Sequence, residues 1–219
     1  MPRQSYKTPS HLIPIRIHLA GKTLKIRPVA IHEAGHLLVA IEHGVRINHA
    51  ALRQPCSASG WADVDVDMLS RRKLGYVRRK SFFRRNGQLK VPCETFAEEV
   101  ARLLTEVEIK IAGRIAIDVV TGDRELSRKG SKRDYAQARR VITQHVKQHC
   151  SAPSMSQVLV RKILLSRECS VRSLLSKRLD DLLRLASELD ARQYLDGAVA
   201  VEIAKHQTTW IFSGTLRNL

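Results

Sequence analysis

The stretch RPVAIHEAGHLLVAIEHG, residues 27–44, sets the architecture of this chain. Pro28 suits the first turn of a helix, and Gly44 suits the position just after a helix ends. Apolar residues fill most positions between them, so we expect one largely buried helix over about residues 28–43. Polar residues inside such a helix need a specific reason to be there.

The polar residues of this helix form the HEXXH motif His32-Glu33-Ala34-Gly35-His36. Side chains four residues apart share one helix face, so both imidazoles can reach a single metal ion. Zn²⁺ lowers the pKa of bound water to about 7, and Glu33 can accept the proton of that water. Two solvent-exposed histidines are the alternative, but the apolar neighbours place both near a buried surface. We predict a zinc metallopeptidase with His32 and His36 as ligands and Glu33 as general base.

A catalytic zinc site uses three protein ligands, and the motif supplies two. The residues alone leave several candidates open as the third: Asp118, Asp123, Glu125, Asp134 and the remaining histidines. Asp134 stands at a predicted helix start, where an acid is favourable without any metal. The other histidines considered lack partners at metal spacing, and we expect them to be ordinary residues: His43, His49, His145 and His149. His145 and His149 are four apart, but no glutamate follows His145, so we interpret that pair as chance.

The motif helix resembles the zinc helix of the FtsH-type ATP-dependent metalloproteases. In that family the third ligand is an aspartate in a glycine-led turn that enters a helix, and GSKRDYAQAR (residues 130–139) is similar in spacing. The resemblance therefore implies Zn²⁺ held by His32, His36 and Asp134, and protein or peptide substrates. IAGRIA (residues 111–116) resembles the family's GGRAAE helix, and the segments from Leu182 to Ile203 resemble its closing helices.

The resemblance runs from about Arg27 to Lys205, with departures. Tyr135 stands where the family usually has leucine. The sequence contains nothing like the family's ATPase module or membrane helix, so we expect a separate ATPase unfoldase to deliver folded substrates and no membrane association. The interval from His36 to Asp134 is longer than the family's by about twenty residues.

A strongly basic stretch, RRKLGYVRRKSFFRRNGQLK, spans Arg71–Lys90 and carries nine Lys or Arg and no acid. Tyr76, Phe82 and Phe83 are interleaved with the charges, a combination typical of nucleic-acid binding. The net charge of +17 also favours polyanionic partners. A solvated insertion in a basic protein is the other interpretation, and the sequence leaves both open.

We expect an α+β fold, mainly helical, with a small sheet beside the HEXXH helix. Strands are predicted over Ile13–Leu19, near Leu24–Ile26 and within Val45–Val66. The family resemblance implies an edge strand around Val45–Leu52 that holds an extended substrate by strand addition. Helices are predicted over Thr95–Val120, Ser131–His149, Ser154–Cys169 and Val171–Leu189, and after Gly197. A polar loop is predicted over Gly122–Gly130.

One metallopeptidase domain is expected over residues 28–206, with a basic insertion at about 65–95. It follows an N-terminal hairpin extension, residues 1–27, and precedes a tail, residues 207–219. The four cysteines form no CxxC pair, and no secretory signal or apolar membrane span is present, so we expect a cytoplasmic protein, with homo-oligomerisation left open. Two other functions remain: a nucleic-acid-associated metalloprotein acting through residues 71–90, and a non-catalytic zinc-binding interaction domain.

Overall fold

The computed structural model describes residues 13–19, 22–52, 62–65, 96–149 and 153–205. The elements follow in chain order: β1 (Ile15–Leu19), β2 (Lys22–Ile26), α1 (Pro28–Glu42), β3 (His49–Leu52), β4 (Ala62–Asp65), α2 (Phe96–Thr121), α3 (Arg124–Gly130), α4 (Lys132–His149), α5 (Pro153–Lys177), α6 (Leu179–Arg192), β5 (Tyr194–Asp196) and α7 (Gly197–Lys205). Helices dominate the described residues, which confirms a mainly helical α+β fold.

Helix α1 lies at the centre of the molecule. Every residue from Ala30 to Ala40 is buried, because the helix is apolar on nearly all sides and packs between α2 and α6. Gly35 allows the close crossing with α2: a Cβ atom there would lie 2.6 Å from the Ala116 Cβ and 2.9 Å from the Ala112 carbonyl oxygen. The predicted helix over residues 28–43 is confirmed to within one residue.

Two arginines hold the ends of α1. Arg27, just before the helix, forms an ion pair with Asp190 of α6 at 2.5 Å. At the other end, Glu42 accepts a hydrogen bond from Arg178 at 2.7 Å, and the same guanidinium donates to the Ala204 carbonyl oxygen of α7 at 2.7 Å. These contacts join both ends of α1 to the C-terminal helices.

The strands form two small antiparallel sheets, a β1–β2 hairpin and a three-stranded sheet in the order β4-β3-β5. The prediction that Val45–Leu52 contains an edge strand is wrong. Strand β3 is central, because β5 pairs with it on the side opposite β4, with Ala50 facing Leu195. Among the described strands of this sheet, β4 and β5 are at the edges.

The later helices are confirmed in part. Helix α2 is continuous through Gly113. The polar loop predicted for residues 122–130 is wrong, since it contains α3, which Asp123 caps by accepting from the backbone N–H groups of Glu125 and Leu126. The predicted break near residue 170 is also wrong: α5 continues to Lys177 because Val171 and Leu175 extend its buried face.

Several predictions fall outside the described residues. These are the basic stretch 71–90, most of the proposed insertion at 65–95 and the tail 207–219. The hairpin is described, and its Ile15, Ile17 and Leu24 pack against the core. Of the helices the structure describes, none has the length and apolar character needed to cross a membrane.

Candidate metal centre

Three elements far apart in sequence meet at the HEXXH motif. His32 and His36 lie on the face of α1 that packs against α2, and Asp134 comes from the first turn of α4. The His32 Nε2 atom is 3.1 Å from the Asp134 Oδ2 atom and 3.0 Å from the His36 Nε2 atom. The His36 Nε2 atom is 3.8 Å from the same carboxylate oxygen. Three potential ligand atoms therefore converge on one point.

These separations fit a tetrahedral zinc site. With zinc–nitrogen and zinc–oxygen bonds of about 2.0–2.2 Å, two ligand atoms of a tetrahedron lie about 3.4 Å apart. The three observed separations, 3.0, 3.1 and 3.8 Å, bracket that value. A borderline ion such as Zn²⁺ also suits two imidazoles and one carboxylate. The donor set and its spacing are thus compatible with three protein ligands around one ion.

Backbone contacts orient the two imidazoles. The His36 Nδ1–H donates to the Ile109 carbonyl oxygen of α2 at 2.6 Å, which leaves the Nε2 lone pair directed towards the other ligand atoms. The His32 Nδ1 atom is buried, and no residue in the described part of the chain makes a hydrogen bond of normal geometry with it. The His32 ring instead lies directly against Gly113, where a Cβ atom would approach three of its atoms to 2.5–2.6 Å.

Burial and mutual charge set the pKa values of the cluster. Burial lowers the pKa of His32, aided by the charge of His36 and opposed by Asp134. Burial also acts to lower the pKa of His36, but contacts with Asp134, Glu33 and the Ile109 carbonyl oxygen outweigh it and raise that pKa. Despite its partial burial, Asp134 has a pKa well below its usual range because both histidines face it. Asp134 is therefore ionised at neutral pH, as a metal ligand must be.

Glu33 lies at the edge of this cluster. Its side chain is 8% exposed, and its Oε1 atom is 4.0 Å from the His32 Nε2 atom. The Asp134 side chain is 31% exposed, so the cluster opens to solvent on the α4 side. A carboxylate beside the cluster is what the predicted general base requires.

The rival acids lie elsewhere. Asp118 pairs with Arg172, Asp123 caps α3, and Glu125 pairs with Lys129 at 2.7 Å on the surface. Of these four acids, Asp134 is the one that lies close to both motif histidines, at 3.1 Å from His32 and 3.8 Å from His36.

The residue after Asp134 helps to fix α4. The Tyr135 hydroxyl donates to Glu168 of α5 at 2.8 Å, and the Arg114 guanidinium of α2 lies 4.6 Å from the centre of the Tyr135 ring. Tyrosine at this position thus ties the first turn of α4 to two neighbouring helices. The departure from leucine is compatible with the position of Asp134.

Four further histidines were expected to be ordinary residues. His49 stacks on Tyr194, with ring centres 5.6 Å apart. The His43 Nε2 atom is 2.7 Å from the buried Glu108 carboxylate, which Arg167 also contacts at 3.0 Å. The expectation that His145 and His149 lack partners is wrong, because Glu99 of α2 lies beside them and the three can supply ligand atoms within 4.8 Å of one another.

Two features of the site had no clear sequence signal. The Ile109 carbonyl oxygen belongs to the backbone, so its side chain gives no hint of the contact with His36. Gly113 was notable only through the family resemblance, and its contact with His32 depends on how α1 and α2 cross. Comparison of the chain with protein-family models and with curated protein sequences finds no match.

Proposed function

We propose that this chain is a zinc-dependent metalloendopeptidase of the FtsH-peptidase type, which hydrolyses peptide bonds of unfolded or partner-delivered proteins. The observation that carries the proposal is the convergence of the His32, His36 and Asp134 ligand atoms beside Glu33. A non-catalytic zinc-binding domain needs the three ligands but has no use for a buried glutamate at this position. The position of Glu33 therefore favours catalysis.

The roles of the residues follow from their chemistry. His32, His36 and Asp134 would hold Zn²⁺, which when bound supplies a Lewis acid that makes water nucleophilic near neutral pH and polarises a carbonyl group. Glu33 accepts one proton from the attacking water as the new carbon–oxygen bond forms. The same carboxylic acid then returns that proton to the amide nitrogen as the carbon–nitrogen bond breaks.

The test compares the full chain with Glu33→Gln and with Glu125→Gln, an exposed acid on α3 that serves as the matched control. Zinc content is measured by atomic absorption, and cleavage is followed with fluorescently labelled unfolded casein. Glu33→Gln should retain about one zinc per chain and lose activity by about 10²–10⁴-fold, because an amide cannot accept the proton. Glu125→Gln should match the wild type.

Two results would contradict the proposal in different ways. Undiminished cleavage by Glu33→Gln would show that Glu33 is not the base. Zinc binding without cleavage by the wild-type chain, also after addition of candidate ATPase partners, would favour the non-catalytic domain.

A further inference from the structure

A second cluster of ligand-type side chains lies where the start of α2 meets the end of α4. His145 and His149 occupy one face of the last turns of α4, and Glu99 comes from the first turn of α2. Each can offer one ligand atom within 4.8 Å of the others. Helices α2 and α4 pack against each other, and Ile142 and Val146 of α4 are buried. The cluster therefore sits on a fixed scaffold.

The contact between Glu99 and His145 has the spacing of two ligands on one ion. The Glu99 Oε1 atom lies 3.4 Å from the His145 Nδ1 atom. That is longer than the 2.7–3.2 Å of a normal N–H···O hydrogen bond. It equals the separation of about 3.4 Å between two ligand atoms of a tetrahedral zinc site. The separation is thus compatible with two ligands of one ion.

The two imidazoles also lie close to each other. Their ring centres are 4.6 Å apart, and Phe96 packs against both, stacked on His145 at 6.0 Å and edge-on to His149 at 5.1 Å. His149 is exposed and Glu99 is 37% exposed, so both can rotate to shorten the wider separations. The C-terminal end of α4 carries a partial negative charge that favours a cation there.

We propose that Glu99, His145 and His149 form a second metal site, which binds a divalent transition ion of the imidazole-preferring class, such as Zn²⁺, Ni²⁺ or Cu²⁺. The site is more exposed than the HEXXH cluster and binds more weakly. Val146 follows His145, so no carboxylate stands where a general base would be, and the bound ion joins α2 to α4 without catalysing hydrolysis. This site does not depend on the peptidase proposal.

The test is a calorimetric titration of the metal-free full chain with Zn²⁺ alone. The wild type should show a tight and a weaker class of sites. His149→Asn and Glu99→Gln should each weaken the weaker class by more than about tenfold while leaving the tight class intact. His49→Asn, the same substitution at a histidine outside the cluster, serves as the control and should retain both classes.

Identical isotherms for the wild type, His149→Asn and Glu99→Gln would overturn the proposal. The result is separable from the fate of the peptidase proposal, because a chain with His36→Ala should lose the tight class and keep the weaker one. If His36→Ala fails to fold, the comparison of the wild type with His149→Asn still tests whether the weaker class of sites includes His149. Cleavage of casein at one zinc per chain should be the same for His149→Asn and the wild type.

Discussion

Replacing Gly113 by alanine should damage the metal site far more than it damages the fold. The added Cβ would lie 2.5 Å from the His32 Cε1 atom and 2.6 Å from both ring nitrogens, whereas ordinary contacts begin at 3.4 Å. The ring must therefore move by about 0.9 Å, against a tolerance of about 0.2 Å in metal–ligand distances. We expect zinc affinity to fall by about 10–100-fold, the range found when groups that orient a ligand are removed.

The effect on stability should be smaller, because two contributions oppose each other. Alanine is favoured over glycine inside a helix by about 1 kcal/mol, while overpacking costs about 1–3 kcal/mol. The net loss of about 0–2 kcal/mol corresponds to a fall in Tm of up to about 8 °C for the metal-free chain.

The assay pairs competitive zinc titration with thermal unfolding of the metal-free chain. Gly44→Ala is the matched control: its φ of +64° disfavours alanine by about 1–2 kcal/mol, yet a Cβ there meets nothing within 4 Å. This control should lose stability and keep its zinc affinity. A Gly113→Ala chain that folds and binds zinc within about twofold of the wild type would refute the reasoning.

Three further predictions concern the metal ligands Asp134 and His36 and the basic stretch. Asp134→Asn should weaken zinc binding, measured by equilibrium dialysis, by more than about tenfold, while Asp118→Asn should leave it unchanged. An equal loss of zinc affinity in the two variants would contradict the assignment of Asp134 as a ligand. The pKa of His36 is raised above the ordinary histidine value of 6.5, so protons compete with zinc for this imidazole above pH 6.5. Zinc affinity should therefore begin to fall above pH 6.5 as the solution is acidified. A constant affinity between pH 8 and 6 would exclude this competition. If the basic stretch binds nucleic acid, fluorescence anisotropy should show that the affinity falls steeply as the salt concentration rises. Replacing Arg78, Arg79, Arg84 and Arg85 by alanine should flatten the slope of log affinity against log salt without changing peptide cleavage. An absence of binding at low salt would leave the interpretation as a solvated insertion.

The sequence was most informative where local features decide the structure. Helix α1 was predicted to within one residue because Pro28, Gly44 and a continuous apolar run act over a short distance. Strand β5 was missed because three residues are too few for a periodic signal, and its partner β3 lies more than 140 residues earlier in the chain. Without β5, β3 was wrongly placed at a sheet edge.

The HEXXH cluster and the cluster of Glu99, His145 and His149 show the same limit of prediction from sequence. His32, Glu33 and His36 were predicted from spacing alone, whereas Asp134 could be chosen among four acids only through the family resemblance. The residues by themselves do not reveal which acid the packing of α4 on α2 brings to α1. In the same way, the spacing of His145 and His149 was visible, but Glu99, on a different helix, was not connected with them until the packing was known.

The separation of 102 residues between His32 and Asp134 has a consequence for biogenesis. At a synthesis rate of about 5–20 residues per second, the aspartate leaves the ribosome roughly 5–20 s after the first histidine. Helix α2 is synthesised in that interval, and it carries Gly113, which contacts His32, and the Ile109 carbonyl oxygen, which contacts His36. The contacts that orient both imidazoles can therefore form before Asp134 is available. If the chain binds zinc as proposed, the set of three protein ligands is complete only once α4 has been made, so the ion would be bound late in the maturation of the newly made chain.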